Sequence, residues 1–186
     1  MIRKIAERTN YNGVVVLGDC IRDRASIDNI DALRRDPVRY IELQIEIISE
    51  KFNAEQAALK KHPNSIILTD RSLADSFFYY VFYVDKSMLT SLQLEKYTSF
   101  FKWLYFRTLT TARTYDHIFL FRPLPKKESD AMRPNELGLL QDVEFLFIRT
   151  LIHGFYQSSQ ITEVSADNET DVNTINSIID AYIAKG

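Results

Sequence analysis

Cysteine is almost absent. Cys20 is the only one in 186 residues, so no disulfide can form within the chain, and a cytoplasmic protein is expected. Histidine is nearly as scarce: His62, His117 and His153 lie far apart and show no zinc-ligand spacing. Of the five glycines, only Gly13 and Gly18 have the GxxxxG spacing of a phosphate-binding loop. Asp19 and Cys20 then stand where that loop needs Lys and Ser or Thr, and the four residues between the glycines read as a strand. That pair is therefore rejected as a phosphate cradle. No apolar run approaches the ~20 residues needed to cross a bilayer. The N-terminal MIRKIAERTN is charged throughout and lacks an apolar secretory segment. Neither sign of charge dominates, and the net charge is −2. Bulk nucleic-acid binding usually needs a clearly basic domain, so neither nucleic acid nor membrane is an expected partner.

Apolar and aromatic residues are plentiful. A hydrophobic fraction of 46%, with 12 Phe and 10 Tyr, can fill a sizeable core, and the length suits one domain over residues 1–186. Residues 2–9 read as a short helix. Asn12-Gly13 signals a turn before Val14–Leu17, a β-branched run of the kind buried on both faces of a sheet. Asp36-Pro37 starts a helix, with Ile41, Ile45, Ile48 and Phe52 at helical spacing to about Lys61. Gln44 lies near that apolar face, either as a boundary residue or as a site residue. Ile66–Leu68 reads as a second strand. The run SFFYYVFYV fits strand or helix by composition; a parallel sheet needs a crossover here, and Ser72 can cap it, so a helix is expected. Residues 90–112 are a further helix with Tyr97, Phe100, Phe101 and Leu104 on one face, and Trp103 at the core or its rim. His117–Phe121 is a strand. A helix to about Gln157 follows, with Leu140, Val143, Phe147 and Leu151 spaced for burial. Ile161–Ser165 is a last strand and Asp171–Lys185 a closing helix. The fold class expected from this alternation is α/β, with a mostly parallel sheet and helices on both faces.

The stretch Ser65–Tyr80 carries the chemistry. A strand ends on Asp70-Arg71, and Asp75 follows four residues after Arg71. In open α/β sheets, ligands bind at the carboxyl ends of the strands. The plainer reading is a surface ion pair capping a strand, with Asp75 on a helix. Lys126–Asn135 is a charged loop holding Lys126, Lys127, Asp130 and Arg133. It reads either as a solvated loop or as a mobile basic lid, over about 123–138, closing on an anionic ligand.

In order along the chain, GDCIR at Gly18–Arg22, the Gln44 helix, ILTDRSLADSFFY at Ile67–Tyr79, YDHIFLFRP at Tyr115–Pro123, SDAMR at Ser129–Arg133 and EVSADN at Glu163–Asn168 form a recognisable series. The series resembles P-loop nucleoside and nucleotide kinases, and among them the AAA-type domain of the ribosylnicotinamide-kinase (NadR-like) group. Each motif is short, and their order and spacing carry the resemblance. It covers nearly the whole chain from Ile2. In such kinases a first strand and a GxxxxGK[ST] loop precede a helix reading like IRKIAER, whereas here Met1 opens directly on that helix. The expectation is an N-terminally truncated member of the P-loop NTPase kinase-like fold.

The resemblance implies ATP and Mg2+ as cofactors and a nucleoside or nucleotide as substrate. It implies that Asp19 takes the proton of the attacking hydroxyl or holds the sugar, that Asp70 sits by the metal, and that Arg133 closes from the lid onto the transferring phosphate with Lys126 or Lys127. Arg22, Gln44, Arg71 and Asp75 would contact substrate or hold the acids. With the cradle absent, weak ATP binding and little turnover are expected of the 186 residues, and a sheet edge left open would favour a homo-oligomer. The alternative is a degenerate, non-catalytic module that binds a nucleotide or a partner.

Overall fold

The computed structural model describes residues 13–18, 36–82, 84–111, 114–122, 138–165 and 168–184. The expected helix over residues 2–9 lies outside them. The chain builds β1 (Val14–Leu17), α1 (Pro37–Lys61), β2 (Ile66–Thr69), α2 (Leu73–Phe82), α3 (Ser91–Thr111), β3 (Ile118–Phe121), α4 (Gly138–Phe155), β4 (Ile161–Val164) and α5 (Asn168–Ile183). Short 3₁₀ turns at Lys86–Met88 and Ser158–Gln160 precede α3 and β4.

Local chemistry sets most boundaries. Asp36 caps α1 by accepting the Arg39 N–H at 3.1 Å, and Pro37, which has no N–H to lose, takes the first helical position. Helix α2 starts behind Ser72, whose N–H and hydroxyl both donate to Asp75 Oδ2 at 2.7 Å. The carboxylate three residues in thus takes the backbone donor that the helix leaves orphaned, as the acid of a capping box does. Gly13 holds φ +111, a region only glycine enters easily, and so turns the chain into β1. The residues between Gly13 and Gly18 are the strand β1, as the rejection of that pair as a cradle requires.

Strands β1 and β2 pair in parallel from Val14 opposite Ile66 to Leu17 opposite Thr69. Strands β3 and β4 do the same from Ile118 opposite Ile161 to Phe121 opposite Val164. The expected single sheet is therefore two parallel pairs, and no strand pairing joins them among the described residues. Packing joins them instead. On α5, the buried Ile175 and Ile179 touch Ile66 and Leu68 of β2 and Phe119 of β3. Leu120 of β3 turns the other way, into a cluster with Ala74 and Phe78 of α2, Ile148 and Ile152 of α4, and Tyr156. Helices thus cover both faces, as the alternation of strand side chains dictates.

The largest cluster lies between helices. Tyr40, Ile41 and Ile48 of α1, Leu73, Phe77 and Tyr80 of α2, and Tyr97 and Leu104 of α3 are all buried together. The aromatic run is therefore core, with Tyr80 stacked on Tyr97 at 4.7 Å between ring centroids. Burial raises the Tyr97 hydroxyl pKa to about 12. Trp103 sits half-buried at the rim, edge-on to Phe52 and stacked on Phe100. On α4 the buried positions are Ile148 and Ile152, while Val143 and Phe147 stay exposed. The helix is turned so that Ile148 and Ile152, one turn apart, meet α2 and β3; both stripes have helical spacing, and periodicity alone does not choose between them.

A charged cluster sits on β4. Glu163 accepts from Arg149 and, at 3.1 Å, from Arg122, with His153 at 3.8 Å. Hydrogen bonding from Arg149, then from Arg122, holds the Glu163 carboxyl below its usual pKa. A carboxyl with a depressed folded pKa contributes stability above its unfolded pKa and loses it as pH falls through the folded one. Acid unfolding followed by circular dichroism should therefore show a shallower loss of stability below about pH 4.5 in Glu163→Gln than in the parent chain.

Candidate functional site

The carboxyl end of β2 gathers the groups with chemical capacity. The Asp70 N–H donates to Leu17 O at 3.1 Å, which places Asp70 where the β1–β2 pair ends. Its carboxylate is exposed, and among the described residues none donates to it. Arg71 follows at φ 72, the only described non-glycine residue with positive φ. A bulky residue held in the left-handed region costs on the order of 1–3 kcal/mol and persists only where surrounding contacts enforce it. The Arg71 guanidinium stands 3.7 Å from Asp75 and over the Tyr79 ring at 5.7 Å.

The contacts behind this turn come from α1. Lys51 Nζ donates to Asp70 O at 2.8 Å and to Thr69 Oγ1 at 2.9 Å, and lies 3.3 Å from Glu55 Oε1. The Thr69 hydroxyl donates to Glu55 Oε1 at 3.1 Å. Tyr115, ahead of β3, donates its hydroxyl to Glu55 Oε2 at 2.7 Å, and Gln160, ahead of β4, donates to Tyr115 O at 2.8 Å. One network thus ties α1, the end of β2 and the entries to β3 and β4. Lys51 and Glu55 are only 7% and 6% exposed, so the pair is paired and hydrogen-bonded inside the protein, as buried charges must be. Burial, then the Glu55 charge, pushes the Tyr115 hydroxyl far above the ordinary tyrosine pKa, so it serves as a donor throughout the physiological range.

Asp70, Arg71 and Asp75 thus come together at one strand end. Asp75 acts as the cap of α2 and the partner of Arg71. Gln44 is buried on α1, seven residues before Lys51 and roughly 10 Å along the same helix. Asp19, Arg22, Lys126, Lys127 and Arg133 lie outside the described residues, as does the expected lid apart from Gly138, which starts α4. Lys51, Glu55 and Tyr115 were not foreseen. A signal for two of them was in the sequence, because Gln44, Ile48, Lys51, Glu55 and Ala58 form one buried helical stripe, and opposite charges four residues apart on an apolar stripe demand a partner.

A family model described as an AAA domain matches residues 1–166. The chain belongs to that family. It is a P-loop AAA-type NTPase domain, and nucleotide binding is the function that goes with it, typically with Mg2+. The two parallel strand pairs between helices accord with such a domain. No curated protein and no solved structure matches this AAA domain.

The described residues of the AAA domain fit a magnesium ion in a limited way. Mg2+ keeps several waters and binds through one or two carboxylates plus substrate phosphates. Asp70 offers one exposed carboxylate of that kind, and among the described residues no group of three acids, histidines or cysteines gathers into an all-protein cage. At the α2 N-terminus the Ser72 N–H is spent on Asp75 and is not open to a phosphate.

Proposed function

We propose that this AAA domain transfers a phosphoryl group from ATP to a nucleoside or nucleotide. The observation that carries the reading is the exposed Asp70 carboxylate at the end of β2, beside a left-handed Arg71 and braced from behind by Lys51. In this reading Asp70 would hold Mg2+, which when bound would supply charge neutralisation on the phosphates. Arg71, already directed by Asp75 and the Tyr79 ring, contacts substrate and keeps the acids in register. Gln44, buried on α1, would be a further substrate contact by the resemblance. By the resemblance, Asp19 would accept the proton of the attacking hydroxyl or hold the sugar, Arg22 would contact substrate, and Arg133 with Lys126 or Lys127 would close on the transferring phosphate. The protein works in a cytoplasmic setting on a small soluble substrate.

The second reading is nucleotide binding without turnover. It is favoured by the α2 N-terminus, whose Ser72 N–H donates to Asp75 and is not left for a phosphate. One assay separates the two. Radiolabelled ATP is incubated with Mg2+ and a panel of nucleosides and nucleotides, and bound nucleotide and labelled product are measured together. Labelled product that falls on the order of 100-fold in Asp70→Asn supports phosphoryl transfer. Nucleotide retained with no product in any mixture would establish the binding module instead.

A further inference from the structure

The buried Lys51 takes no part in the proposed chemistry itself, yet it contacts the site from behind. Its ammonium has three hydrogens, and three acceptors surround it: Asp70 O at 2.8 Å, Thr69 Oγ1 at 2.9 Å and Glu55 Oε1 at 3.3 Å. Two of those acceptors belong to the last residues before the left-handed turn. The carbonyl it grips is the Asp70 carbonyl, part of the peptide unit that leads into Arg71. A carbonyl held there limits rotation about the Asp70 backbone, and that rotation sets the direction of the Asp70 side chain. The Thr69 hydroxyl sits between Lys51 and Glu55, also donating to Glu55 at 3.1 Å. Glu55 is fixed in turn by Tyr115 at 2.7 Å.

A buried cation is a costly way to stabilise a strand end. Apolar residues of the same volume often give equal or greater stability than a buried ion pair. What the ion pair adds here is direction: one contact to the peptide unit next to a strained residue, and one to the Thr69 hydroxyl just before it. We infer that Lys51 is a positioning residue. Through the Asp70 carbonyl and the Thr69 hydroxyl it holds the left-handed Arg71 turn and so aims the Asp70 carboxylate at a divalent cation. This inference rests on Asp70 being the metal-side carboxylate of the proposed function.

The test is a double-mutant cycle on metal affinity. Mn2+ binding in the presence of excess ADP is followed by electron paramagnetic resonance in the parent chain, Lys51→Met, Asp70→Asn and the double variant, with stability measured by urea unfolding on the same samples. Groups that orient a metal ligand typically change metal affinity ~10–100-fold, so Lys51→Met should weaken Mn2+ binding about tenfold in the parent background and leave it unchanged in the Asp70→Asn background. Thr69→Val keeps both charges and removes one contact, and it stands in should Lys51→Met fail to fold; it should weaken binding less, with the same dependence on Asp70. Loss of urea stability with unchanged Mn2+ affinity would overturn the inference, since that is what a purely structural lysine does. Equal weakening in both backgrounds would overturn it as well. Mn2+ affinity that ignores Asp70→Asn would instead remove the metal role of Asp70 itself, and the inference with it.

Discussion

Phe78→Ala lowers the unfolding free energy by about 3–5 kcal/mol, the range for truncating a fully buried aromatic. Phe78 is 0% exposed and stands where α2, β3 and α4 meet, among Ala74, Leu120, Ile148, Ile152 and Tyr156. Its ring stacks on Phe82 at 4.8 Å and lies 5.6 Å from Phe147. Removing the ring leaves a void bordered by three elements of different direction, which cannot all move inward together. The β3–β4 pair relies on packing of this kind, here and at α5, because no strand pairing among the described residues ties it to β1–β2. Phe82→Ala is the control. Phe82 is 47% exposed, so its truncation opens no sealed void and should cost less than about half as much. Urea unfolding followed by tyrosine and tryptophan fluorescence measures both. A loss under about 1 kcal/mol for Phe78→Ala would show that this junction is not packed as described.

Glu55→Ala carries the second large effect, also about 3–5 kcal/mol, by a different mechanism. Removing one member of a buried ion pair strands the other. Lys51 would keep its bonds to Thr69 and Asp70 O but lose its counter-charge, and the Tyr115 hydroxyl would lose its acceptor. A buried hydroxyl without a partner costs about 1–3 kcal/mol alone. Glu55→Gln keeps an acceptor oxygen for Tyr115 and should recover part of the loss. Glu42→Ala, on the exposed side of the same helix, should stay within about 0.5 kcal/mol. Urea midpoints of the three variants give the comparison, and equal midpoints for Glu55→Ala and Glu42→Ala would contradict the buried network.

Much of this architecture was legible before any fold was seen. The Asp36-Pro37 start of α1, the helical reading of the aromatic run after Ser72, the strands at Val14, Ile66, Ile118 and Ile161, and the face of α3 through Tyr97 and Leu104 all follow from period, capping and turn chemistry. These signals are local, spanning three to seven residues, and local signals survive in sequence. The stretch around Asp70 was legible for the same reason: an apolar strand that ends on charge has to deliver that charge somewhere.

Other features needed the fold. Whether α4 buried its Val143–Phe147 stripe or its Ile148–Ile152 stripe depended on where α2 and β3 stood. That Thr69, Glu55 and Tyr115 meet depended on contacts fourteen and sixty residues apart in sequence. The left-handed Arg71 has no sequence signature, because arginine does not favour that region and only the surrounding contacts hold it there. By itself the sequence determined the elements, their caps and the acid–base pair at the end of β2, since each is fixed by neighbours along the chain. The tertiary structure alone decided that the pair's carboxylate is exposed and unpartnered among the described residues, and that a buried lysine from another helix grips its backbone. Burial and long-range hydrogen bonding are properties of which surfaces meet, and those are set only when the elements pack.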